Sequence, residues 1–342
     1  MPIHFNKKFS ISNRVIGRDE PVFIIAEAGV AHFGRIEKAF KLVDLAVGAG
    51  ADAVKFQIYK TEHLISKSGK EWFDRMKTKE LPFEAFKEIQ SYCREREIIF
   101  LATAHDENSL EYLSELRVPA YKIGSGEVTN WGFIKSIASK GKPIILSTGM
   151  YTLDQIHEAL SVISETGNGD VAVLHCVTMY PTPPGSVNLT AMNTIKDAFD
   201  VLVGYSDHTQ GHHFPIAAAS LGAGIIEKHI SLDFNVPNAQ DWKVSCGPED
   251  LHLMIQQIRE IEAGLGSGLK DPGKDERLSL TWARKSLTAT RDISMGDVIT
   301  GGMLSAKRPG GGIPPSEIKK VIGKRAARLI KKDEMIQREH FE

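Results

Sequence analysis

A chain of 342 residues that is 42% hydrophobic and 25% charged has the balance of a globular protein, and its length predicts one large unit with a smaller companion. A formal net charge of −1 argues against a general nucleic-acid binder, and no apolar run reaches membrane-spanning length. The N-terminal segment MPIHFNKKFSISNRVIGRDE lacks the apolar core of a secretory signal. Cys93, Cys176 and Cys246 show no CxxC spacing and are odd in number, which predicts reduced thiols in a cytoplasmic protein.

Short β-branched apolar runs recur along the chain: VFIIAEAG (22–29), DAVKFQIY (52–59), IIFLATAHD (98–106), YKIGSGE (121–127), PIILSTGM (143–150), VAVLHCVTMY (171–180), VLVGYSDHT (201–209) and GIIEKHISLD (224–233). Stretches such as RIEKAFKLVDLAVGAG, FEAFKEIQSYCRERE, NSLEYLSEL and LDQIHEALSVISETG lie between them, apolar at i, i+3 and i+4. PEDLHLMIQQIREIEAGLG completes the eighth unit. Apolar strands alternating with helices imply parallel pairing with both faces covered, and eight such units predict a (β/α)8 TIM barrel over 1–266. No GxGxxG follows the first strand, which disfavours a dinucleotide-binding sheet.

GSGLKDPGKDERL reads as part of a linker over 267–283, and 284–342 as a small β-rich domain. Within it RDISMGDVIT (291–300) and RLIKKDEMIQ (328–337) echo each other, which predicts two equivalent strand-turn-strand elements; KRPGGGIPPSEI between them is an irregular loop. From Arg284 onward there are thirteen Lys and Arg against seven Asp and Glu. That surplus fits either a basic patch facing an anion or a solvated surface.

Each apolar run turns polar near its C-terminal end, where barrel enzymes place their chemistry. The groups are Glu27; Lys55 and Gln57; Thr103, His105 and Asp106; Lys122, Ser125 and Glu127; Ser147 and Thr148; His175, Thr178 and Tyr180; Ser206, Asp207 and His208; Glu227, Lys228 and His229. Lys55 and Lys122, with Ser125, Ser147 and Ser206 at comparable depth, would form a pocket for phosphate or carboxylate; the alternative is lysines that snorkel to the rim or pair with glutamates. His208 and His229 end adjacent strands and could hold a divalent metal, or could simply be hydrogen-bonded. Strand alternation puts Glu227 and His229 on one face and turns Lys228 toward the helices, in a structural role.

The segments IAEAG, AVKFQ, YKIGSGE, LSTGM, LHC…YPTP, GYSDHT, EKH and KRPGGGI, in this order, resemble the sialic acid synthases, including the legionaminic and pseudaminic acid synthases. The resemblance runs from about residue 20 to the C-terminus. It implies a barrel followed by an antifreeze-like (SAF, β-clip) domain that caps the partner's site in a domain-swapped homodimer. It implies a transferase that condenses phosphoenolpyruvate with an N-acetylmannosamine-like aldose, giving a nine-carbon 2-keto-3-deoxy sugar acid and phosphate. By the resemblance Lys55, Thr103, Lys122, Ser125, Ser147 and Ser206 hold phosphoenolpyruvate, and His208 and His229 bind manganese or magnesium. Glu27, Gln57, Tyr180 and Asp241 meet the sugar with Arg308 of the cap, and Glu227 assists water or moves protons. Glu27, Glu227, His208 and His229 form the catalytic group.

Three segments depart from the family pattern. AHFG (31–34) stands for NHNG, ATAHD (102–106) for an STPF-type strand end, and Thr178 for an Asn. They bear on the sugar's identity more than on the reaction. A neutral or phosphorylated aldose is the alternative acceptor, and a carbohydrate-binding barrel or an ice-binding tail the non-enzymatic alternative.

Overall fold

Alternation along each apolar run sends successive side chains to opposite faces, and in this chain both faces are apolar, so each run can be buried on both sides. In the computed structural model, which describes residues 4–237, 239 and 241–341, the runs form eight parallel strands. They are β1 (Phe23–Gly29), β2 (Ala53–Ile58), β3 (Ile99–Ala104), β4 (Tyr121–Ile123), β5 (Ile144–Ser147), β6 (Val171–Cys176), β7 (Leu202–Asp207) and β8 (Ile225–His229). Each pairs with the next, and β8 closes on β1 through Ile225↔Phe23 to His229↔Glu27. This is the (β/α)8 barrel that the strand–helix alternation predicts.

Helices follow the strands, all amphipathic but the short, Ala-rich seventh: α1 (Ile36–Ala49), α2 (Phe83–Glu95), α3 (Glu107–Glu115), α4 (Trp131–Ala138), α5 (Leu153–Ser164), α6 (Ala191–Phe199), α7 (His213–Ser220) and α8 (Pro248–Leu265). Their ends are set locally. Asp106 caps α3 by accepting from the Ser109 N–H at 2.9 Å, and Thr152 with Gln155 forms a capping box on α5. Gly50, at φ 84°, ends α1 in the left-handed conformation that glycine adopts without steric cost. None of the helices, among the described residues, is long and apolar enough to cross a membrane.

The barrel interior is layered. Its lower part is apolar, built from Phe23, Ile25, Ala53, Leu101, Ala120, Ile145, Ala172, Leu174, Leu202 and Ile225. The sequence reading made no element of residues 8–17; the structure folds them into an antiparallel hairpin, Lys8–Ile11 with Arg14–Gly17, whose Phe9, Ile11 and Ile16 join this same cluster. Gly204 is required inside: a Cβ there would lie 2.4 Å from the Ile225 carbonyl oxygen and 2.6 Å from Leu174 Cδ2. One step further along each strand, the inward positions become polar.

Contacts divide the chain into two units, Met1–Gly266 and Ser267–Glu342. The second has its own core, including Leu287, Ile293, Ile299, Ile330 and Ile336. Its regular strands, β9 (Ser286–Ala289) and β10 (Leu304–Lys307), pair antiparallel. The stretch read as linker carries two short helices, Lys274–Arg277 and Ser279–Ala283, and the Thr281 carbonyl accepts from the Gly310 N–H at 2.8 Å. The two echoing segments do meet: Ile293 and Ile330, equivalent in the repeat, exchange both backbone hydrogen bonds at 2.9 Å. They make single bridges rather than full strand-turn-strand elements, because turns at Gly296 (φ 87°) and Asp333 (φ 66°) interrupt the pairing after a residue or two.

Candidate active site

The barrel mouth follows from counting by two along each strand. Inward Ile25 is followed by Glu27, Ala53 by Lys55, Leu101 by Thr103, Ala120 by Lys122, Ile145 by Ser147, Leu174 by Cys176, Gly204 by Ser206 and Ile225 by Glu227. Register brings them level: Glu27 faces Lys55, Thr103 faces Lys122, and Ser206 faces both Cys176 and Glu227. They line a cavity of about 150 Å³ together with Gln57, His105, Ser125, Thr178, Tyr180, His208 and His229.

Two buried ammonium groups dominate it. Lys55 Nζ lies 2.7 Å from Glu27 Oε2 and 3.5 Å from Glu227 Oε2, and donates to Thr103 Oγ1 at 3.1 Å. Lys122 Nζ donates to Ser147 Oγ at 2.7 Å and to the Ile123 carbonyl at 3.1 Å, with Glu227 Oε1 at 3.7 Å. Ser206 donates to Glu227 Oε1 at 2.9 Å, and Gln57 Nε2 donates to Glu27 Oε1 at 3.3 Å. The lysines are paired with glutamates, as one of the two sequence readings has it, and they also line a small polar cavity.

The two carboxyls are pushed apart. Burial raises Glu27 above the usual carboxylate range, against the attraction of Lys55. Burial acts on Glu227 too, but Lys122 and Lys55 together overcome it and hold Glu227 below that range. Burial lowers Lys122, while the two glutamates outweigh burial at Lys55 and raise it.

The imidazoles occupy the opposite wall. His208 Nδ1 bonds the Val177 carbonyl at 2.7 Å, so Nδ1 carries a proton and Nε2, which accepts from the Tyr180 hydroxyl at 2.9 Å, is the lone-pair nitrogen. The His229 ring lies 5.3 Å from that of His208, and burial drives its pKa well below the ordinary histidine value, leaving it neutral. Cys176 Sγ sits 3.6 Å from His208 Nδ1; burial opposes charge on either group, yet their contact pulls the thiol down and the imidazole up. The donor set fits a divalent cation. Two imidazoles converge, one of them oriented by a backbone carbonyl, and a cation at His208 Nε2 would displace any second proton. No cluster of three or more His, Cys, Asp or Glu suited to a metal occurs among the described residues, so the other coordination positions would fall to water and substrate, as in an open site.

The cavity gathers twelve of the fourteen residues expected from the sequence. Asp241, in the turn after β8, stands just above: a Cβ added to Gly29 would be 3.4 Å from Glu27 Oε1 and 3.9 Å from Asp241 Oδ2. Arg308 belongs to the second unit, where its guanidinium lies over Trp282 at 5.7 Å. Lys228 faces away from the cavity, fully buried, and donates to Asp207 Oδ2 at 2.6 Å and the Thr209 carbonyl at 2.7 Å. His175 bonds the Val187 carbonyl at 2.8 Å and belongs to the surrounding layer. His105, one of the polar groups expected at the strand ends, lines the wall as the next inward residue after Thr103; Cys176, the next inward residue after Leu174, was not expected there.

The NeuB family matches residues 42–270, and the SAF domain matches residues 284–342. The N,N'-diacetyllegionaminic acid synthase of Campylobacter jejuni is 42% identical over 92% of this chain and 98% of its own length. The N-acetylneuraminate-9-phosphate synthase of Homo sapiens is 31% identical over 95% of this chain and 94% of its own. Among solved structures, the N-acetylneuraminic acid synthetase from Leptospira borgpetersenii in complex with citrate superposes with a TM-score of 0.75 at 33% identity, covering 80% of this chain and 95% of that one.

Proposed function

Since this chain belongs to the NeuB family and is an enzyme of nonulosonic acid synthesis, we propose that it condenses phosphoenolpyruvate with an N-acylated amino-sugar aldose of the N-acetylmannosamine type. The products are a nine-carbon 2-keto-3-deoxy sugar acid and phosphate. The observation that carries this reading is the pair of buried ammonium groups, Lys55 and Lys122, set among serine hydroxyls in a small cavity of about 150 Å³. Two cations at that depth suit a small, highly charged anion.

Lys55 with Thr103, and Lys122 with Ser125, Ser147 and Ser206, bind the phosphate and carboxylate. His208 and His229 would hold manganese or magnesium, whose chemistry when bound is to polarise the sugar's aldehyde oxygen. The enol carbon of phosphoenolpyruvate forms a bond to the aldehyde carbon, whose oxygen takes a proton, and water adds at C2. Glu227, held ionised by both lysines, accepts the water's proton; Glu27, with its raised affinity for a proton, is the complementary acid beside Gln57, Tyr180 and Asp241 on the sugar's side. The tetrahedral carbon then expels phosphate as the keto group forms, and the lysines stabilise the departing charge. The small cavity limits stray water. A cytoplasmic homodimer, with Arg308 reaching the partner's sugar, completes the proposal.

The test is phosphate release from phosphoenolpyruvate with a panel of free and phosphorylated N-acylhexosamines, with and without a divalent cation. Release should need both aldose and metal, and product mass gives the acceptor. No release with any of the panel would overturn the proposal. A phosphorylated acceptor is the second reading, favoured by the human relative named as a 9-phosphate synthase. Arg308→Ala should raise KM for N-acylated sugars while leaving that for phosphoenolpyruvate unchanged.

A further inference from the structure

His105 lines the reaction cavity beside Lys55, Lys122, Thr103 and Ser125, and has no role in the chemistry above. Its backbone is fixed by the N–H bond to the Ile58 carbonyl at 3.3 Å, and its ring packs edge-on to Tyr59 at 6.4 Å and against Gly124, whose added Cβ would be 3.9 Å from His105 Cε1. The imidazole makes no hydrogen bond among the described residues. Protein surrounds it, but part of the ring stays open, to the reaction cavity on one side and to an outer polar cavity of about 660 Å³ on the other. The neighbouring ammoniums of Lys55 and Lys122 and the hydroxyls of Thr103 and Ser125 line the same cavity and can donate to one anionic acceptor together with this ring.

We propose that His105 is a further anion-binding residue, donating its ring N–H to an oxygen of the substrate anion bound between Lys55 and Lys122. A neutral imidazole suits the position better than a third cation. Burial, then Lys55 and Lys122, pull His105 down to about 4, so at neutral pH it donates a hydrogen bond without adding charge to be repelled. A phenyl ring of similar breadth would fill the same shelf but present no donor, so the choice of histidine is a choice of chemistry and not only of volume.

The inference rests on the anion-binding reading of the pocket, and one experiment separates their failures. Phosphoenolpyruvate is titrated calorimetrically into the full chain, wild type, His105→Phe and His105→Gln. His105→Phe should weaken binding about tenfold or more, the effect of deleting a hydrogen bond to a charged partner, and His105→Gln, which keeps an N–H donor, should recover most of it. Unchanged binding in His105→Phe, or equal weakening in both variants, overturns the role of His105 alone. A wild type that does not bind phosphoenolpyruvate overturns both readings. Should His105→Phe not fold, the ring 15N resonances of wild-type His105 are followed instead. An N–H shift on adding phosphoenolpyruvate supports the contact, and an unmoved resonance overturns it.

Discussion

Lys228→Met tests the division between the inner and outer faces of β8. Lys228 and Asp207 are both fully buried and joined at 2.6 Å, level with each other in the register of β7 and β8. Removing the ammonium leaves Asp207 with three donors, the Tyr205 hydroxyl at 2.8 Å, the Thr209 N–H at 3.0 Å and the Thr209 hydroxyl at 3.1 Å. Breaking a buried pair from one side costs about 3–5 kcal/mol, and these donors place the loss near about 3. With an unfolding entropy of about 2.1 cal/mol/K per residue, a barrel of this size should lose about 5 °C in Tm. Because the side chain points away from the cavity, kcat and the metal bound per chain should stay within about twofold of wild type. Adding Asp207→Asn should restore part of the lost stability by removing the uncompensated charge. The measurements are thermal melts, phosphate release and metal content on the same preparations. An unchanged Tm, or metal lost from a folded variant, would refute the assignment.

Lys122→Met should reduce kcat/KM by about 100-fold or more, since it removes a charge from the proposed anion pocket and leaves Glu227 less compensated; steady-state phosphate release measures it. Gly204→Ala should destabilise the barrel by about 1–3 kcal/mol, because the added methyl meets the rigid Ile225 carbonyl as well as Leu174, and denaturant melts report it. His32, buried, is held at about 4, by burial first and Lys79 second. The unfolded chain, with its histidine near 6.5, therefore binds more protons between pH 6.5 and 4, so stability falls as pH falls through that window, by up to about 3 kcal/mol for this group. His32→Gln should flatten the slope of unfolding free energy against pH there, and an unchanged slope would refute the linkage.

Much of the barrel was legible because both of its signals are local. Strand length and helical period mark the eight units, and a period of two puts Glu27, Lys55, Thr103, Lys122 and Ser147 one step above an apolar layer. The same count reaches Cys176, but a search by residue type passes over a lone thiol. The hairpin at 8–17 was missed although Phe9 and Ile11 alternate, because four-residue strands are a weak signal and their partner is the distant barrel floor. Partners fixed by register are not legible at all. Nothing local says that Lys228 meets Asp207, or that Lys55 lies between Glu27 and Glu227.

That register also bears on how a neutral pocket would receive the proposed anionic substrate. Two lysines and two glutamates at the centre of a barrel cancel in formal charge, which limits the cost of burying each one. An anion entering between the lysines must draw them from their carboxylates, and the two carboxylates are not equally placed to let go. Glu227 is shared by both ammoniums, at 3.5 and 3.7 Å, and is further fixed by Ser206. Glu27 holds one ammonium, at 2.7 Å, and otherwise a neutral amide at 3.3 Å. Loss of Lys55 to the anion would strip Glu27 of its main opposing charge while burial remains, so its affinity for a proton rises further as substrate binds. On the proposed mechanism, arrival of the anion would thus favour the proton on Glu27, the proposed acid, and leave Glu227 ionised as the proposed base.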